Sequence, residues 1–323
     1  MTDFPPATDF PPATDFSTAM QLTPIGDRRW RATLTADWGQ GRTTFGGLLD
    51  ALAARVAVQV VGAGRPLRTM DVAFIAPIGP GPAELEVEVL GEGKTVTQLV
   101  VGISSGGVLG CRAHLVAGAA RRSGLRVETR PTEPIGGDPA DAGVDFSYQP
   151  GLTPEFCRHI EYRWCSDAVP FSGGGAETAQ LKGWARHRQG PAQGLEATIA
   201  LLDSWPPAVL PMTLGPTPAS TVSWAIHFAG LNDRPEPELS SASAGPQWFW
   251  YEARTVRSAD GYATDQATMY DQQGRLLAWS EQLIAVYDRP AENDSLGVGP
   301  VADEAAVASA SPVGVAEPSG PAS

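Results

Sequence analysis

The chain has 323 residues, 42% of them hydrophobic, and a formal net charge of −13. That length suits two domains of ~100–150 residues each, and the charge excludes the basic footprint on which nucleic-acid binding depends. The 36 glycines and 29 prolines imply many turns and therefore many strands.

Cys111, Cys157 and Cys165 are an odd set without a CxxC pair, which argues against a disulfide framework or a structural zinc. His114, His159, His187 and His227 show no HExxH spacing, so neither a metal nor a cofactor is expected. The N-terminus lacks a basic region followed by an apolar run. No apolar stretch approaches the ~20 residues of a membrane helix. The expectation is a cytoplasmic protein with neither membrane nor nucleic acid as partner.

Residues 1–19 carry TDFPPA at 2–7, again at 8–13, and TDF at 14–16. Proline pairs block helix and sheet pairing, so this stretch reads as a disordered tail. The first domain is read over 20–120. Trp30 to Leu34 alternates as a strand, and a Gly-rich turn spans 39–47. A helix then runs from Leu48 to about Val61, with Leu48, Leu49, Leu52, Val56 and Val60 at three- and four-residue steps. Asp50, Arg55 and Gln59 are its strongly polar side chains, so most of it should be buried. Four strands follow, over 69–75, 84–90, 95–104 and 108–117, and Leu85, Val87 and Val89 face inward on the second.

A linker rich in Pro, Gly and Arg covers 121–155, and the second domain, 156–288, repeats the pattern. His159 to Cys165 reads as a strand and Leu195 to Leu202 as a short apolar helix. Strands follow over 220–228, 248–256, 262–270 and 276–287. Residues 289–323 are rich in Ala, Pro, Glu, Ser and Gly and read as a second disordered tail. An apolar helix must be covered, and a curved antiparallel sheet can wrap one. The expected fold class is therefore α+β, a double hot-dog: two fused domains, each a helix wrapped by antiparallel strands, joined into one continuous sheet.

Three short motifs in these slots carry a family likeness: FGGLL at 45–49, LLD at 201–203, and the pair STV at 220–222 and SEQ at 280–282. Over roughly 20–288 the chain resembles the acyl-CoA thioesterase II family of double hot-dog enzymes. The strand after Thr221 reads VSWAIHF, without the Asp-His-Ser that often follows the family's threonine. The resemblance implies hydrolysis of acyl thioesters, with CoA part of the substrate, in lipid and fatty acid metabolism. It places catalytic roles on Asp203, Thr221 and Gln282.

The residues also bear a reading of their own. Asp203 ends a helix before Pro206 and Pro207, where a carboxylate is disfavoured by the helix dipole. It is either a turn former or a functional group whose cost something offsets. Gln282 shares its face with Ala278, Ser280, Ile284 and Val286, so its amide is expected to be buried and partnered. Counting by twos sets Thr221 with Ser223, Ala225 and His227, opposite Val222, Trp224, Ile226 and Phe228. Thr221 can then join Asp203 only if its strand is bulged or the site lies at the sheet's outer edge. His227 reads as a surface or packing residue in preference to a general base.

Thioester hydrolysis needs an activated water and a stabilised oxyanion. The implied division has Asp203 taking the proton while Thr221 and Gln282 hold the water; attack by Asp203 itself stays open. Backbone amides of Gly46 and Gly47, at a helix start, are the expected oxyanion donors. Trp205, Trp224, Trp279 and the cluster 248–251 serve either as an acyl tunnel or as core. Other readings are a hydrolase or tailoring enzyme for carrier-protein-bound acyl groups, and a non-catalytic acyl-CoA binder. A hydratase would need a Gly-Asp-x-Asn-Pro-x-His loop, which the sequence lacks. Back-to-back sheet packing offers a route to a homo-oligomer.

Overall fold

The structure, a computed structural model, describes residues 13–62, 64–132, 135, 138–146, 148–170, 176–189, 194–229 and 247–288. The C-terminal tail and most of the TDFPPA repeat lie outside these residues.

The chain starts with a four-residue helix, α1 (Phe16–Ala19), then strands β1 (Thr23–Gly26) and β2 (Arg29–Leu34). A small hairpin of β3 (Gly39–Gln40) and β4 (Thr43–Thr44) leads into α2 (Gly46–Val61). Strands β5 (Leu67–Phe74), β6 (Gly81–Glu92), β7 (Val96–Ser105) and β8 (Val108–Gly118) follow. The second half holds β9 (Val144–Asp145), β10 (Ile160–Trp164), β11 (Gln180–His187) and α3 (Leu195–Asp203). It ends with β12 (Ala219–Phe228), β13 (Phe249–Ala259), β14 (Tyr262–Tyr270) and β15 (Leu276–Val286).

Thirteen strands form one sheet in the order β1-β2-β6-β7-β8-β5-β12-β15-β14-β13-β11-β10-β9. The two halves join edge to edge where β5 pairs antiparallel with β12, from Ser223 opposite Ala73 to His227 opposite Thr69. The continuous sheet expected of a double hot-dog is thus present. It removes two exposed strand edges that isolated halves would each have to protect.

Helix α2 lies against β5 to β8, and α3 lies against α2, β11 and β14. Ten residues of α2 are buried, from Gly47 continuously to Ala54 and then Val56 and Ala57. Its apolar periodicity therefore served to cover it on nearly all sides, as its composition required. Of its polar side chains Gln59 is exposed and Arg55 is half-buried. Its Nη1 donates to Met20 O at 2.8 Å and its Nε lies 3.4 Å from Glu196 of α3.

The short strands β1, β3, β4 and β9 were not expected, and two larger departures bear on the core. Residues 13–19, read there as the end of a disordered tail, are held in place. Trp38 Nε1 donates to Thr14 O at 2.9 Å, and Phe16, Ala19 and Met20 are buried in the main core. The repeat-derived composition hid this because a single buried phenylalanine is enough to anchor so short a segment. Strand β11 was not expected at all. Leu181, Gly183, Ala185 and His187 form its buried face, and Trp184 is buried on the other, so small and polar residues inside and a tryptophan outside hide the alternation in the sequence. Its outer face is covered by a separate cluster of Trp184, Trp248, Trp250 and Tyr270, against which Ile135 and Ala142 pack.

Candidate functional site

Asp203 is the last residue of α3 and abuts the first turn of α2. The unfavourable C-terminal position is offset there by the positive end of a second helix. The Gly47 N–H donates to the carboxylate, and Gln282 Nε2 donates to Oδ1 at 2.8 Å. Burial opposes these two bonds and prevails, pushing the Asp203 carboxyl up to about 7.

Glycine is required for this approach. A Cβ on Gly46 would lie 2.9 Å from Asp203 Oδ2 and 3.1 Å from Phe74 Cζ. One on Gly47 would lie 2.5 Å from Phe45 Cζ and 3.0 Å from Asp203 Cβ. Phe45 is itself locked by stacking on Phe156, with centroids 3.9 Å apart. The sequence reading had assigned both glycine amides to a ligand oxygen. In the structure the Gly47 amide serves Asp203, because the carboxylate sits directly over the helix start. Gly46 is the first residue of α2, where an amide has no intrahelical acceptor.

Thr221 joins this group through a β-bulge. In the β12–β15 ladder Thr221 opposes Ile284, yet Ser223 opposes Leu283, so Val222 is an extra residue. Beyond the bulge the faces exchange. Trp224, Ile226 and Phe228 point inward on one side of it, and Thr221 does so on the other. Val222, grouped by counting with the inward set, is instead 38% exposed. The bulge that the residue count required is therefore present, and Thr221 lines the same cavity as Asp203 and Gln282. Gln282 is flanked by Trp224 on β12 and Asp265 on β14. His227 is exposed, lies tilted against Trp279 with ring centroids 4.7 Å apart, and is not part of this cavity's lining.

Two acids missed by the sequence reading lie nearby. Asp50, three and four residues beyond the two glycines on α2, is fully buried. Its Oδ1 is 3.8 Å from Cys111 Sγ and its Oδ2 has no hydrogen-bond partner. Burial first, and then the Asp203 charge, hold the Asp50 carboxyl well above the usual carboxylate range. A lone carboxyl inside an otherwise apolar helix was the available signal. Asp265 accepts from Thr255 Oγ1 at 2.6 Å and from Ala208 N at 2.7 Å. It ties the turn after α3 to the sheet.

The cavity measures about 230 Å³, and Tyr162, Trp164 and Trp205 are among its walls. Of the aromatic residues weighed in the sequence, Trp205 lines it and Trp224 belongs to the core. Trp248 and Trp250 cover the outer face, and Trp279 and Arg254 border a separate cavity of about 710 Å³. Among the described residues, no group of three or more His, Cys, Asp or Glu side chains is arranged to hold a metal ion. No helix among them is long and apolar enough to cross a membrane.

A continuous antiparallel sheet wrapped on two apposed helices, with an acid at their junction, defines a protein of the double hot-dog class. The profile of the acyl-CoA thioesterase N-terminal domain matches residues 34–120, and that of the acyl-CoA thioesterase C-terminal domain matches 132–286. Together these cover most of the chain, which belongs to the acyl-CoA thioesterase family and is a thioester hydrolase. Solved structures agree in fold. A hot-dog protein of unknown function from Alicyclobacillus acidocaldarius is 22% identical, with a TM-score of 0.73 over 85% of this chain and 98% of that one. An acyl-CoA thioesterase II, TesB2, from Mycobacterium marinum is 15% identical, with a TM-score of 0.59 over 85% and 98%. The tesB protein of Mycobacterium avium subsp. paratuberculosis is 16% identical, with a TM-score of 0.61 over 84% and 98%. No curated protein matches the chain in sequence.

Proposed function

We propose that the chain hydrolyses acyl-CoA to the free acid and CoA, using a water activated by Asp203 and held by Thr221 and Gln282. The supporting observation is Asp203 itself: a carboxyl pushed up to about 7, bonded to Gln282, facing a helix start and lining a largely apolar cavity. A base is most effective when its pKa lies near the working pH.

The roles follow from the donors and acceptors. Gln282 commits its Nε2 to Asp203, which leaves its Oε1 to accept from the water. The Thr221 hydroxyl supplies the second contact that fixes the water's lone pair toward the thioester carbon. Asp203 takes the water proton as the C–O bond forms, and the carbonyl electron pair moves onto oxygen. The Gly46 amide at the α2 N-terminus receives that oxyanion. When the pair returns, the C–S bond breaks and the proton on Asp203 passes to the departing thiolate. Gly46 comes from the first half and the three side chains from the second, so each half supplies what the other lacks.

The test is thiol release from acyl-CoA by the wild type and by Thr221→Val, a change of nearly equal volume. Release by the wild type and a ten- to hundredfold lower kcat in the variant, at unchanged Tm, are expected. Absence of thiol release from any acyl-CoA refutes the proposal.

A further inference from the structure

One wall of the cavity beside Asp203 is tightly held. Trp205 follows Asp203 by two residues and is 5% exposed. Its indole stacks flat on Tyr251, with centroids 4.8 Å apart and planes 1° apart. Trp164 meets it edge-on at 5.0 Å and Tyr162 at 5.3 Å. Gly183 makes room for it, since a Cβ there would lie 2.8 Å from Trp205 Cη2. The backbone is equally constrained. Pro206 and Pro207 follow immediately, and the next amide, Ala208 N, is anchored on the buried Asp265. Tyr251 lies behind the indole and outside the cavity lining.

We infer that Trp205 is the end wall of the acyl pocket and sets the longest acyl group the enzyme accepts, an apolar chain of about eight carbons. The inference rests on the hydrolase reading above. A volume of about 230 Å³, at ~30 Å³ per heavy atom, the share of one water in the liquid, holds about eight such atoms. A palmitoyl tail needs roughly twice that space. A wall held by three aromatic contacts and two prolines does not yield, because repacking it would break the stacking and the Ala208 anchor together. Below the limit each added methylene is buried and improves binding about fourfold.

The experiment measures kcat/KM by thiol release for butanoyl-, hexanoyl-, octanoyl-, decanoyl-, lauroyl- and palmitoyl-CoA, in the wild type and in Trp205→Ala. In parallel, affinities of non-hydrolysable thioether analogues of the same lengths are measured by calorimetry. The wild type should rise about fourfold per methylene up to octanoyl, then fall tenfold or more by palmitoyl. Trp205→Ala should move the maximum to a longer chain and raise palmitoyl relative to octanoyl by at least tenfold. Should Trp205→Ala not fold, Trp205→Phe carries the same direction with a smaller shift. A wild type that turns over palmitoyl-CoA as well as octanoyl-CoA overturns the gauge and leaves the hydrolase reading intact. Absence of thiol release at every length refutes the hydrolase reading, and the analogues then decide the gauge. Affinity that levels off after eight carbons supports it, and affinity that climbs steadily to palmitoyl, or no binding, overturns it.

Discussion

Replacing Asp203 by Asn should make the enzyme both slower and more stable. The carboxyl stands at about 7 in the folded protein against an ordinary value of 3.8. It therefore binds its proton more tightly when folded, and folding becomes less favourable as pH rises from about 4 to about 7. At 1.36 kcal/mol per unit of pKa, a shift of roughly three units costs about 4 kcal/mol at pH 8. Asn removes that cost but offers one acceptor oxygen where the carboxylate offers two. Either Gln282 or Gly47 then loses its partner, at about 1–2 kcal/mol. The balance is a gain of roughly 2–3 kcal/mol at pH 8, or about 5 °C in Tm. Below pH 4 the wild-type carboxyl is protonated in both states and the advantage disappears. The same change removes the base, and kcat should fall by roughly 10²–10⁴. Thermal melts of both proteins at pH 4 and pH 8, beside thiol release at pH 8, provide the check. An Asn variant no more stable than wild type at pH 8 would show that Asp203 carries no burial cost, and the argument for a raised base would collapse.

Four further outcomes are expected. The wild-type kcat/KM should climb with pH through about 7, as Asp203 loses its proton. Gln282→Leu removes a bond that lowers the Asp203 pKa, so the inflection should move upward and activity fall ten- to hundredfold; an unmoved inflection refutes the coupling. Gly46→Ala puts a methyl against Asp203 Oδ2 and Phe74, so it should cost at least tenfold in kcat with a small loss of Tm, measured by thiol release and calorimetry. Burial holds the His187 ring neutral with a pKa of about 4. The folded state thus binds fewer protons than the unfolded one, and about 3 kcal/mol of stability should be lost between pH 6.5 and pH 4. A His187→Gln variant that keeps the same acid sensitivity in a urea titration would assign that loss elsewhere.

Much of the fold was legible because its causes are local. The apolar steps of α2 and the alternation of β6, with Leu85 and Val87 buried, express which side of each element meets the core. Likewise, a glutamine on the inward face of β15 had to find a partner, whatever that partner was. Strand β11 was not legible, since Gly183, Ala185 and His187 on its buried face and Trp184 on the other leave no apolar alternation in the sequence.

The site divides in the same way. Local sequence was sufficient to mark Asp203 as a carboxylate at an unfavourable helix end, Gly46 and Gly47 as a helix start open to close approach, and Gln282 as an amide in need of a partner, though the structure leaves Gln282 only half-buried. It also showed that Thr221 needed a bulge to take part. Whether that bulge exists was decided by the register between β12 and β15, where Val222 is squeezed out so that Thr221 and Trp224 can both face inward. That the start of α2 meets the end of α3 was decided by the packing of the two halves. The pKa of Asp203 was decided there too, because desolvation is a property of all that surrounds a group and not of its neighbours along the chain.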